Sequence, residues 1–244
     1  MPSYYYNRNK LRGGSYEDLH LSGSVSMLGP IKVDVMRMNG DFFGEYTLKV
    51  GTLHATGSMR VPQMRCTSAF WYGNSAVRTK LQVSQHLSIS GQFIGEGSII
   101  APVVRMNGTV SYSGPITAKE ITAYGTLTLG QLDANAIHLG FSERGLCAGI
   151  KGKQIVLVPR KPGILERMFL PPRSVNNTFL TVSEGITGDN IVLEHVITNT
   201  VSGNDVIIGP GCKVNKVYYR DHIYIDEAAF VSWYEPLPDT PKQT

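Results

Sequence analysis

The histidines and cysteines are the residues of this chain best suited to metal binding or nucleophilic catalysis. Six histidines and three cysteines are spread over 244 residues, with no Cys-x-x-Cys pair and no Cys/His cluster. Three widely spaced cysteines, Cys66, Cys147 and Cys212, are typical of free thiols in a reducing compartment. No glycine-rich phosphate loop or nucleophile elbow occurs. The sequence therefore predicts no catalytic residue, no metal site and no cofactor.

A basic and apolar segment stands out near the middle of the chain. Residues 151–173 contain six cations and one acid, and four prolines flank a short apolar run. Helical spacing would place its apolar side chains on one face and basic side chains beside it, as lipid head groups require. The predicted membrane contact consists of Ile164, Leu165, Met168, Phe169, Arg160, Lys161 and Arg167. The alternative is a surface loop that folds back on the rest of the protein.

The elements that would position these residues follow from an internal repeat. The tetrapeptide Arg-Met-Asn-Gly begins at Arg37 and begins again at Arg105. Glycines after an apolar-x-apolar-x pattern recur at intervals of about 17 residues, with one double interval: Gly23, Gly40, Gly57, Gly91, Gly108 and Gly125. The position missing from the double interval is Asn74, a residue type that tolerates the left-handed backbone conformation. The two tetrapeptides are therefore four periods apart.

Apolar residues follow the same period and alternate with polar ones, which indicates strands. One inward column is predicted to hold Leu19, Met36, Leu53, Phe70, Leu87, Val104 and Ile121. A second column lies two residues further on and runs from Leu21 to Ala123, including Tyr72. A third lies two residues after each glycine and runs from Val25 to Leu127, including Ala76. Such short strands bury an apolar face only if successive turns stack. The sequence thus predicts an all-β fold, a parallel β-helix (β-solenoid) of roughly triangular section with about 17 residues per turn.

The pattern divides the chain into five segments. Residues 1–18 are predicted to be a flexible tail, 19–157 the first part of the β-helix, and 158–178 the basic amphipathic insertion. Residues 179–234 are predicted to form the carboxy-terminal turns and 235–244 a second flexible tail. Within the first part, the columns slip by one residue at Ile137 and continue through Leu146.

Two other β-solenoid functions fit the sequence less well. A hexapeptide acyltransferase has about 18 residues per turn, in three hexads. Segments such as 206–211 match this unit locally, but a 17-residue period does not divide by six. An adaptor that binds a partner protein through one face is the main non-enzymatic alternative.

Metal binding by one histidine column is disfavoured, because His20 and His54 lie two turns, or roughly 9.6 Å, apart.

The block Val201-Ser-Gly-Asn-Asp-Val-Ile-Ile-Gly-Pro-Gly-Cys-Lys-Val-Asn-Lys-Val-Tyr-Tyr219 resembles the end of bactofilin domains. The likeness extends over the repeat region and is most specific in this block. Tyr218 stands where an acidic residue is usual, and the chain is longer than a minimal bactofilin. It looks like the larger form of the Bacillus type, with an interrupted middle.

This resemblance implies a right-handed β-helix that assembles end to end into nucleotide-independent filaments. It also implies a cytoplasmic scaffold at the inner face of the cell membrane that organises cell shape or surface and motility structures. The expected partners are further copies of the chain or a second bactofilin, and the membrane surface, with no nucleic acid. Uncapped solenoid ends suit such assembly. The predicted ends are Leu19 and Leu21 on one side and Phe230 and Val231 on the other.

Overall fold

The computed structural model describes residues 3–6, 10–160 and 178–237. Within these ranges the chain forms parallel strands and no helix. It divides into two compact units, residues 1–123 with 128–131 and residues 124–127 with 132–244. The predicted all-β parallel β-solenoid with turns about 17 residues apart is confirmed.

The first unit contains six strands and part of a seventh. They are β1 (Ser3–Tyr6), β2 (Lys10–Leu11), β3 (Gly14–Met27), β4 (Ile31–Gly44), β5 (Leu48–Glu96), β6 (Ile99–Tyr112) and the first part of β7 (Ile116–Phe141). Equivalent residues of successive turns pair in register. Leu19 pairs with Met36, and Met36 pairs with Leu53 on the following turn. All three side chains are fully buried, so the first predicted column forms the core here.

The second unit contains the remainder of β7 and six further strands. These are β8 (Gly145–Pro159), β9 (Leu180–Val182), β10 (Ile186–Leu193), β11 (Val196–Ile208), β12 (Lys213–Ile225) and β13 (Phe230–Pro236). The turns here vary in length, because Ile186 pairs with Val201, Val201 pairs with Val217 and Val217 pairs with Tyr234, which are 15, 16 and 17 residues apart. The predicted slip at Ile137 is confirmed by its buried side chain, whereas Leu146 is exposed and Cys147 faces the core instead.

One turn of the first unit departs from the predicted register. Trp71 is buried, while Phe70 is only half-buried and Tyr72 is exposed. Gly73, not Asn74, has the positive φ, and the carbonyl of Gly73 lies beneath Gly91. The interval from Gly57 to Gly73 is therefore 16 residues, and that from Gly73 to Gly91 is 18 residues. Their sum of 34 equals two regular periods, which conceals the shift in the sequence.

The shifted register places a large ring in the core. Trp71 meets Phe93 of the next turn edge to face, with ring centroids 6.0 Å apart, an arrangement favourable for aromatic pairs. A one-residue shift reverses the two faces of a strand, so Val77 is buried and Ala76 is exposed, contrary to the prediction. The Trp71 Nε1 atom has no hydrogen-bond partner among the described residues, which is a cost of placing the ring inside.

Candidate functional site

The carboxy-terminal edge of the second unit is formed by β13. Among the described strands, β13 pairs with β12 alone. Val231 pairs with Val214 and Tyr234 pairs with Val217, and both partners are buried. Because paired residues of parallel strands share a side-chain direction, Val231 and Tyr234 are the last members of two inward columns. Val231 is half-buried and Tyr234 is 55% exposed.

A further inward face ends one strand earlier. Ile223 pairs with the buried Val206, and Ile225 pairs with the buried Ile208. Both isoleucines are only half-buried. We call Ile223, Ile225, Val231 and Tyr234 the terminal apolar surface, since they are column members that β13 leaves partly uncovered.

Phe230, predicted as an end residue together with Val231, has a different orientation. It pairs with Lys213, which faces outward, and its side chain is 63% exposed. Trp233 likewise follows the outward Lys216, and its ring meets that of Tyr218 edge to face at 5.8 Å. Phe230 therefore lies on the outer face of β13, and only Val231 of the predicted pair belongs to the terminal apolar surface.

The predicted β-helix begins at Leu19, but the amino-terminal edge of the observed strands lies earlier in the chain. Tyr4 and Tyr6 in β1 pair with Leu19 and Leu21 in β3. On its other side β3 pairs with β4, so both leucines lie between two strands and are 0% and 4% exposed. Leu19 and Leu21 are thus interior core residues, and β1 provides the outer edge.

The insertion leaves and rejoins the second unit at neighbouring points. The Arg160 backbone N–H donates to the Phe141 carbonyl at 2.7 Å, and the Thr178 hydroxyl donates to the Ser142 carbonyl at 3.5 Å. Arg160 itself is exposed. The remaining predicted membrane-contact residues lie outside the described ranges: Lys161, Ile164, Leu165, Arg167, Met168 and Phe169. No helix among the described residues has the length and apolarity needed to cross a membrane.

The histidines take part in local pairs. His20 lies 3.3 Å from Asp18, which also binds Arg37 at 2.8 Å, and His222 lies 2.7 Å from Asp205. In the described ranges no group of three or more His, Cys, Asp and Glu side chains could hold a metal ion.

An aromatic stack on the outer face of the first unit was missed by sequence reasoning. The ring of His54 stacks on Phe70, with centroids 5.0 Å apart and planes at 11°. His54 also lies parallel to Tyr72, with centroids 6.5 Å apart. The slip at Trp71 turns Phe70 and Tyr72 outward. A strict 17-residue period predicts both rings to face inward, so it does not reveal the stack.

All three cysteines are free and buried. Burial raises the pKa of Cys66 and Cys147 to about 12 and that of Cys212 to about 11. Thiols with raised pKa values are protonated at neutral pH and are poor nucleophiles.

A scan against protein-family models, a search of curated proteins and a search of solved structures found no match for this chain. The resemblance of residues 201–219 to bactofilins remains a prediction from the sequence.

Proposed function

We propose that this protein is a non-enzymatic scaffold that self-assembles end to end into filaments without a nucleotide. The observation that carries the proposal is the terminal apolar surface, where inward columns stop at side chains that remain partly uncovered. An outer strand also presents unpaired backbone N–H and C=O groups, which makes it a template for another strand. A second copy that pairs with β13 would satisfy both the backbone edge and the apolar columns.

Filament growth needs two different edges. A single self-complementary edge gives a closed dimer, whereas two complementary edges give an open chain. The described strands offer β1 as the second edge, since β1 pairs with β3 alone. The proposed contact therefore uses the backbone of β1, and not the buried Leu19 and Leu21.

The bactofilin-like block supports the same proposal from the sequence. Residues 201–219 run from β11 into β12; β12 also carries Ile223 and Ile225 of the terminal apolar surface and pairs with β13. The proposal places the scaffold in the cytoplasm at the inner face of the cell membrane, where it organises cell shape or surface and motility structures. Its partners are other copies of this chain or a second bactofilin, and no cofactor or nucleic acid takes part.

Electron microscopy of the purified full chain tests the assembly directly. Filaments or sheets formed without nucleotide are the expected result. Dispersed single molecules at high protein concentration would contradict the proposal and favour an adaptor that binds a partner protein.

Membrane association is proposed to depend on the insertion. Sedimentation with anionic liposomes compares the wild type with a variant in which Ile164, Leu165 and Phe169 are replaced by Ser. A matched control replaces three exposed apolar residues of the strands by Ser: Ile94, Ile100 and Ile207. Binding that falls only in the insertion variant supports the contact, and undiminished binding in that variant eliminates it.

A further inference from the structure

The outer face of the first unit carries an open groove of about 500 Å³. Its lining comes from successive turns of β4 and β5, so it runs across stacked strands. Three cations line it, Lys32, Lys49 and Arg65, together with a single acid, Asp34. The groove therefore carries an excess of two positive charges.

The three cations form one outward column. Lys32 pairs directly with Lys49 on the next turn. Arg65 occupies the equivalent outward position of the following turn, because it lies between the buried Met64 and Cys66. Adjacent strands are about 4.8 Å apart, so the column spans roughly 10 Å. Like charges directly opposite each other on a sheet are destabilising. This column places three positive charges on three successive turns, so each neighbouring pair repels.

Two other cations of this unit form ion pairs with acids from a neighbouring turn. Arg37 binds Asp18 at 2.8 Å, and Arg78 lies 3.2 Å from Glu96. By contrast, Lys32, Lys49 and Arg65 form no ion pair within the described part of the chain. These three charges, which lie side by side on successive turns, are therefore available to an external anion.

The column beside the cations provides space and hydrogen-bonding groups. Gly51, Thr67 and Ser84 line the groove next to the cations, and Gln82 lies one turn beyond Arg65. A Cβ at position 51 would clash with the backbone carbonyl of Asp34, so the close stacking of these two turns requires glycine there. The small hydroxyl groups can bond to the polar backbone of a ligand, since serine and threonine both donate and accept.

We propose that this groove binds an acidic, extended peptide segment of a partner protein. The four turns from Lys32 to Gln82 span roughly 14 Å, which four or five extended residues cover at about 3.3 Å each. Carboxylates on alternate residues of such a segment point to one side and meet the cation column, while the hydroxyl groups meet its backbone. A nucleic acid fits less well, because its affinity grows with the number of phosphates that cations neutralise, and this groove offers three cations and one acid. The peptide site is separate from the terminal apolar surface and does not depend on filament formation.

Fluorescence anisotropy with the full chain tests the proposal. The probe is a labelled ten-residue peptide in which Asp alternates with Ser, and its neutral counterpart has Asn in place of Asp. The groove variant combines Lys32→Gln, Lys49→Gln and Arg65→Gln. The control variant removes three exposed cations elsewhere and has the same net charge: Arg60→Gln, Lys151→Gln and Lys153→Gln.

We expect the acidic peptide to bind the wild type and the control variant equally and the groove variant about tenfold more weakly, since three exposed ion pairs are lost. Binding should weaken at higher salt, and the neutral peptide should not bind. No binding of the acidic peptide, or equal loss in both variants, overturns the proposal. Anionic vesicles and single-stranded DNA serve as further probes. Groove-dependent binding of either one without peptide binding also overturns it and identifies a lipid or nucleic-acid ligand.

Discussion

A charge placed in the terminal apolar surface should block filament growth, whereas a charge on the preceding residue, which faces outward, should not. Val231→Arg puts the charge at the end of an inward column, where the partner's column would stack. Phe230→Arg adds the same charge one residue away on the outer face, where the side chain is already 63% exposed. The two variants therefore have the same net charge and lie on the same strand, and they differ in the direction of the side chain.

The size of the effect follows from burial. Full burial of a valine side chain contributes about 1.5–3 kcal/mol, and Val231 is already half-buried in the single chain, so the contact gains about 1 kcal/mol from it. An arginine at this position loses that gain and adds an unpaired charge to a closing interface, which costs about 2 kcal/mol more. A total of about 3 kcal/mol corresponds to at least a hundredfold rise in the critical concentration for assembly.

Sedimentation over a concentration series measures this critical concentration, and electron microscopy identifies the pelleted material. Circular dichroism melting checks that both variants fold, which we expect because both positions are at the surface. Assembly of Val231→Arg at the wild-type concentration would refute the reasoning. Loss of assembly in Phe230→Arg alone would instead identify a side-by-side contact between filaments.

Three further predictions concern stability. Replacing residues 161–177 by a three-residue Gly-Ser-Gly linker should leave the melting temperature within a few degrees of the wild type. The reason is that Arg160 and Thr178 bond to the consecutive residues 141 and 142. A large drop would show that the insertion supports the core. Gly108→Ala should cost about 3 kcal/mol in urea unfolding, since φ is 122° and the new Cβ meets the carbonyl of Gly91. Gly73→Ala, with φ of 66° and only an ordinary van der Waals contact to the Thr56 methyl group, should cost about 1 kcal/mol. Equal losses in the two variants would contradict the stacked backbone. Unfolding free energy should fall as pH rises from about 9 towards 12, because groups with raised pKa values must stay protonated in the folded state: Cys66, Cys147, Cys212 and Tyr112. Urea titrations at pH 8 and pH 10.5 test this, and a constant unfolding free energy would rule it out.

The stacked core was predictable from the sequence because the period is visible in single residues. In-register parallel pairing brings each residue onto its equivalent one turn later, so a buried column must repeat in the sequence. Met36, Leu53 and Leu87 recur at multiples of the period and are all fully buried. The outward cations Lys32 and Lys49 follow the same rule. Their lack of acid partners is not a property of spacing and needs the positions of the neighbouring side chains.

The slip at Trp71 and the two edges were decided by tertiary structure. Alternation alone allows either Phe70 and Tyr72 or Ala69 and Trp71 to face inward, and the choice depends on how the indole packs against Phe93. The direction of Phe230 and Val231 depends likewise on the register between β13 and β12. Periodicity therefore determined which turns stack, because that information is repeated along the chain. Packing and strand pairing determined which side chains remain uncovered, because those depend on contacts between residues that no local pattern encodes.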